Sequence, residues 1–190
     1  MSTRRQLTLA FLAPDDDDLW VNRLAALMSD GWCHAELIFD SPEHSTPNGS
    51  LAFSAQAGDN VRLKRKTFGN PRYQYITLAV SQREYDRAFQ FASDAHRAQL
   101  AFSDKDMTMS LMHPGNCMHV PSTALGRSFC SKIITEALQH AGCEEVTAIC
   151  PSSATPGRLR ASVVNSSRRV TPCIKFNASG GCTLRASVGR

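Results

Sequence analysis

Cys130 and His34 are the side chains whose settings suit nucleophilic chemistry. Cys130 sits near the start of Ser128-Phe129-Cys130-Ser131-Lys132, which continues to Ala141 and Gly142. Ile133, Ile134, Ala137, Leu138 and Ala141 recur at helical spacing, so one face of this segment is expected to be buried. Ser128 reads as the N-cap and Gly142 as a left-handed stop. Cys130 then falls in the first turn, where free N–H groups and the helix dipole favour thiolate over thiol. A cysteine can also open a core helix with no chemistry attached, so a nucleophile needs a base. His34 lies in Trp32-Cys33-His34-Ala35-Glu36-Leu37-Ile38-Phe39-Asp40, a strand in which Trp32, His34, Glu36 and Ile38 share one face. A lone strand histidine is most often structural. Only its proximity to Cys130 would make it a base.

The surrounding elements must bring these two together. Gln6–Ala13 reads as a first strand. Asp15–Asp18 precede a helix over Leu19–Met28, with Trp20, Leu24, Leu27 and Met28 on its expected buried face. The four aspartates read as capping groups, since adjacent side chains do not converge on one ion. Leu51–Gln56 is the return strand of a hairpin after a loop at 41–50. Val61–Lys66 alternates basic residues, as a solvated sheet edge does. Tyr73–Val80 is a strong strand, and Ser81-Gln82-Arg83-Glu84 is a capping box opening a helix to about Leu100. Little regular pattern is expected over 101–127. Val146–Cys150 reads as a last short strand, followed by a turn at Pro151–Leu159.

With 190 residues and 42% hydrophobic content, the chain is long enough for one soluble domain with a proper core. No apolar run is long enough to cross a bilayer. The segment after Arg4-Arg5 is too short for a signal peptide and lacks a small-residue cleavage site. The seven cysteines, an odd number with no export signal, point to reduced thiols and a cytoplasmic setting. Residues 151–190 hold seven arginines and lysines and no acid, whereas acids outnumber bases in the rest. The expected organisation is therefore a domain over 1–160 and a basic, flexible tail over 161–190, the tail suited to an acidic partner.

The order of parts resembles the circularly permuted papain-like superfamily, the permuted branch of the NlpC/P60 thiol hydrolases, in which the histidine strand precedes the cysteine helix. The residues that carry the resemblance are Cys33–Phe39, Phe53-Ser54-Ala55, Gly58 with Val61-Arg62, Ser128–Lys132, and Thr155-Pro156 with Leu159. It covers residues 6 to about 160. It implies an α+β fold in which an antiparallel sheet packs against the cysteine-bearing helix. It also implies a cysteine peptidase, isopeptidase or amidase with Cys130 as nucleophile and His34 as general base. The substrate would be a peptide, ubiquitin-like tail or other amide or acyl group, and no cofactor is implied. The residue orienting His34 falls at Ser54, where familiar members carry His or Glu; Glu36 and Gln56 are the alternatives. A thiol acyltransferase or lipid hydrolase on the same fold is a second reading. A third comes from the residues alone: a zinc-containing nucleic-acid-binding module using His113, Cys117, His119 and the basic tail.

Overall fold

The computed structural model describes residues 4–40, 44–46, 49–112, 119–170, 174–176 and 182–184. It is an α+β fold built on an antiparallel sheet. The elements before the long helix are β1 (Arg4–Leu12), α1 (Trp20–Leu27), β2 (His34–Asp40), β3 (Ser45–Thr46), β4 (Gly49–Ala55), β5 (Val61–Lys66) and β6 (Tyr73–Ser81). Then come α2 (Gln82–Arg97), β7 (Ala101–Phe102), α3 (Asp104–Met112), α4 (Ser122–Leu125), β8 (Arg127–Ser128) and α5 (Cys130–Ala141). Two 3-10 turns, Glu144–Val146 and Pro151–Ser153, lead to α6 (Pro156–Val164), β9 (Arg169–Val170) and a hairpin of β10 (Ile174–Phe176) and β11 (Cys182–Leu184). The main sheet runs β3-β4-β2-β1-β6-β9, with β5 on β4. No helix of the described residues is long and apolar enough to cross a membrane.

The sheet's inner face is dictated by alternation. Leu7, Leu9 and Phe11 of β1, Ala35, Leu37 and Phe39 of β2, and Phe53 and Ala55 of β4 are all fully buried. They form one core with Tyr85, Ala88, Ala92 and Ala95 of α2 and Ile133, Ile134, Ala137 and Leu138 of α5. Fully burying each of the three large aliphatic residues of α5 is worth roughly 1.5–3 kcal/mol. That exceeds the ~1 kcal/mol a side-chain cap supplies. Accordingly α5 starts with Phe129 as N-cap and no side-chain cap, not with Ser128. Ser128 is buried and accepts a hydrogen bond from the Ser122 hydroxyl at 2.8 Å instead. At the other end Gly142 adopts φ 87°, a conformation open to glycine. The capping box on α2 forms as expected, with Ser81 Oγ accepting from the Glu84 N–H and the Glu84 carboxylate from the Ser81 N–H.

Five expectations are corrected. α1 buries Ala25 and Ala26, while Trp20 and Leu27 are 73% and 82% exposed. Its apolar stripe faces outward because small alanines, not large side chains, fit against Leu12, Cys33 and Leu111. The aspartates do not cap it: Asp18 accepts from the Asp15 N–H and pairs with Arg72 at 2.8 Å. Val146–Cys150 is no strand, and the described residues of the 101–127 region include two helices. Finally, α6 runs through residue 160 and buries Val163 completely, and β9 pairs with β6, so the folded unit continues through Val170. The docking of this segment is close. Gly157 donates its N–H to Ser29 Oγ at 2.8 Å, and a Cβ there would lie 2.5 Å from the Ser29 carbonyl oxygen.

Candidate active site

The β2–β4 ladder joins Leu37 to Phe53, Ile38 to Ala52 and Phe39 to Leu51. His34 and Ala35 lie beyond its end, where the two strands no longer exchange main-chain bonds, and the start of α5 fits against them. Cys130 Sγ takes hydrogen bonds from the main-chain N–H groups of Ala35 and Ser131 and shares one with the His34 ring. Cys130 is 3% exposed, and the His34 side chain 19%. Folding thus brings together two residues separated by nearly a hundred positions in the chain.

Electrostatics favour the charged pair. Burial alone would raise the Cys130 pKa, but the His34 charge, the His34 hydrogen bond and the two main-chain donors outweigh it and hold the thiol below its ordinary value. Burial likewise opposes a charged His34, yet the Cys130 thiolate and the Glu36 carboxylate hold its pKa above the usual imidazole value, against a smaller opposing effect of Lys66. At the other two buried thiols described, burial outweighs the smaller opposing effects of Arg72 on Cys33 and Arg168 on Cys143. Burial pushes Cys33 up to about 11 and Cys143 up to about 12.

Both expected orienting residues stand near one ring nitrogen. Ser54 Oγ is 3.4 Å and Glu36 Oε1 3.7 Å from His34 Nε2. Ser54 donates its proton to the Ala35 carbonyl at 2.7 Å, so its lone pairs are presented to His34 Nε2–H. That arrangement keeps the proton on Nε2 and leaves Nδ1 basic in the neutral ring. Glu36 is 4% exposed and held by residues the sequence reading did not single out. Lys66 Nζ donates to its Oε1 at 2.5 Å and the Tyr73 hydroxyl at 2.6 Å, while Lys66 also donates to Tyr73 Oη at 2.9 Å. Burial, and next the Glu36 charge, raise the Tyr73 pKa far above that of an ordinary phenol, so it remains a donor. Nothing in the sequence links Lys66 and Tyr73 to Glu36.

Gln56 does not reach the histidine; its side-chain oxygen accepts from Arg62 at 2.6 Å. Lys132 turns away from the site, buried at 2% exposure and donating to the Val120 carbonyl at 2.9 Å. Cys33, Cys130 and Cys143 are free thiols, whereas Cys150, on a half-buried loop, is disulfide-bonded, a departure from the expectation of reduced thiols. His113 and Cys117 of the zinc alternative lie outside the described residues. His119 Nε2 is 3.9 Å from Glu136 Oε1, and among the described residues no three His, Cys, Asp or Glu side chains are grouped to hold a metal ion. No family model, no curated protein and no solved structure matches this chain.

Proposed function

We propose that the chain is a cysteine hydrolase of permuted papain-like type, acting on a peptide, isopeptide or other acyl bond through a thioester. The observation that supports it is the hydrogen-bonded Cys130–His34 pair at the uncapped start of α5. The Cys130 thiolate attacks the acyl carbon, and the carbonyl electrons move onto oxygen. The Cys130 main-chain N–H, one of the first-turn donors without an intrahelical partner, faces that oxyanion. Collapse breaks the bond to the leaving amine or alkoxide, which takes the Nδ1 proton of His34. Neutral His34 then accepts a proton from water as it attacks the thioester, releasing the acid and restoring the thiolate–imidazolium pair. A different acceptor in place of water would give acyl transfer at the same residues.

Iodoacetamide with peptide mapping tests the pair. Cys130 should alkylate at pH 6 at least tenfold faster than Cys33 or Cys143, because only its pKa is depressed. Its rate should fall only as the pH drops through that lowered value. His34→Ala should remove the advantage. p-Nitrophenyl acetate should acetylate Cys130 transiently, seen by mass spectrometry. Equal alkylation of the three thiols, or turnover that survives Cys130→Ala, would overturn the reading.

A further inference from the structure

The outer face of the sheet beside His34 carries charge that the proposed thioester chemistry does not use. Arg62 and Lys64 of β5 stand opposite Ser54 and Ala52 of β4, so with Lys66 they share the Ser54 face. With His34 and Ser54 they line an open cleft of about 530 Å³, and Arg65 adds a fourth β5 cation to it. Among the described residues of its lining, Glu36 is the only carboxylate. Two of the cations already have counter-ions: Arg62 meets Asp59 at 2.6 Å and Lys66 meets Glu36 at 2.5 Å. Lys64 is exposed and has no ion-pair partner among the described residues. The cleft therefore retains uncompensated positive charge.

Its wall is also a sheet edge. Among the described residues β5 pairs only with β4, and beyond Val61, where Leu100 and Ala101 cover its start, no strand lies along its other side. Val61 turns its N–H outward to the Leu100 carbonyl at 2.7 Å, and the two-residue period turns the Leu63 main chain the same way. An edge with such charges repels a strand that cannot neutralise them and admits one that can. A peptide fits better than an anionic lipid surface. The exposed apolar side chains a bilayer would take up, Trp20 and Leu27, follow the exposed Asp15, Asp16 and Asp17, which anionic lipid repels. The cleft touches His34 and Ser54 but not Cys130, so it opens on the histidine side of the pair.

We propose that this cleft binds an extended acidic peptide segment along β5, with a carboxylate on Lys64, on the leaving-group side of the Cys130–His34 pair. The leaving-group assignment rests on the hydrolase reading; the binding does not. A fluorescein-labelled hexaglutamate peptide, followed by anisotropy with the full chain at low salt, supplies the test. Lys64→Glu should weaken its Kd at least ~10-fold, about 1.4 kcal/mol, and Lys64→Gln by less. Arg87→Glu, an equal charge change on the exposed face of α2, should weaken it less than ~2-fold. Unchanged thermal melts of the variants keep the comparison free of folding effects. Absence of hexaglutamate binding, or equal weakening by Lys64→Glu and Arg87→Glu, overturns the proposal. So does Lys64-dependent binding of phosphatidylserine vesicles without binding of the peptide. Parallel alkylation of Cys130 separates the two readings: a sluggish Cys130 with peptide still held through Lys64 overturns the hydrolase and leaves the cleft assigned. A fast Cys130 with no peptide bound does the reverse.

Discussion

Ser54 and Glu36 act on different properties of His34, and their variants should differ in kind. The Ser54 hydroxyl is aimed at Nε2 by its own 2.7 Å bond to the Ala35 carbonyl, but its 3.4 Å contact with the ring is long and neutral. Ser54→Ala should slow acylation of Cys130 by about 3–10-fold, the worth of roughly 1 kcal/mol, with little movement of the pH profile. Glu36 acts through charge. Glu36→Gln removes the carboxylate that favours imidazolium and leaves the Lys66 cation, which disfavours it, uncompensated. Both changes lower the His34 pKa. The alkaline limb of the rate, where the leaving group needs the imidazolium proton, should therefore move to lower pH by about one unit. A pH–rate profile with a peptide p-nitroanilide, whose amine leaves only when protonated, checks this; an unmoved alkaline limb in Glu36→Gln would show that the carboxylate does not act on His34.

The start of α2 couples a local motif to a long-range tie. Ser81 caps the helix, and Glu84 closes the box while accepting from Arg168 at 2.8 Å. Ser81→Ala should lower unfolding free energy by about 1 kcal/mol in urea titrations. Glu84→Gln should cost more, about 2 kcal/mol, because a charged partner of Arg168 is lost as well. Burial would raise the Glu84 pKa, but the Ser81 hydrogen bonds and Arg168 outweigh it and depress it. The carboxylate thus contributes stability above the unfolded-state value of about 4.3, and that contribution disappears as pH falls through the lower folded value. The difference between wild type and Glu84→Gln should accordingly shrink in acid. A difference that stays constant with pH would assign it to packing.

At the scale of the whole molecule, the segment after residue 160 is part of what holds the sheet closed. Val163 is fully buried, β9 covers the β6 side of the sheet, and Arg168 reaches Glu84, Glu145 and the Ala79 carbonyl. A chain ending at Val170 should retain cooperative unfolding. One ending at Arg160 should lose more than about 3 kcal/mol, since it opens a cavity at Val163 and leaves buried Glu145 without its cation. Denaturant titration of the two truncations checks this. Equal stability would mean that α6 is fixed by its first turn alone.

Much of this molecule is written locally. The period of Ile133, Ile134, Ala137 and Leu138 specifies α5, and alternation specifies β2, β5 and β6, because a helix or strand has one periodicity by which to bury an apolar face. The same alternation put His34 and Glu36 on one face, and the capping box marked the start of α2. The N-cap of α5 falls at Phe129, one residue beyond Ser128, because Ser128 has a buried hydroxyl partner, Ser122, that local sequence does not reveal. The outward face of α1 and the docking of α6 depend on which surfaces are already filled, so apolar content alone misassigned both. The contact between Cys130 and His34 exists only because the β2–β4 ladder ends at Leu37 and frees the Ala35 N–H for the sulfur. Likewise Lys66 and Tyr73 meet Glu36 across separate strands. Sequence set the elements and the residue types of the site. Tertiary structure alone decided the partners, because each is supplied by a segment distant along the chain.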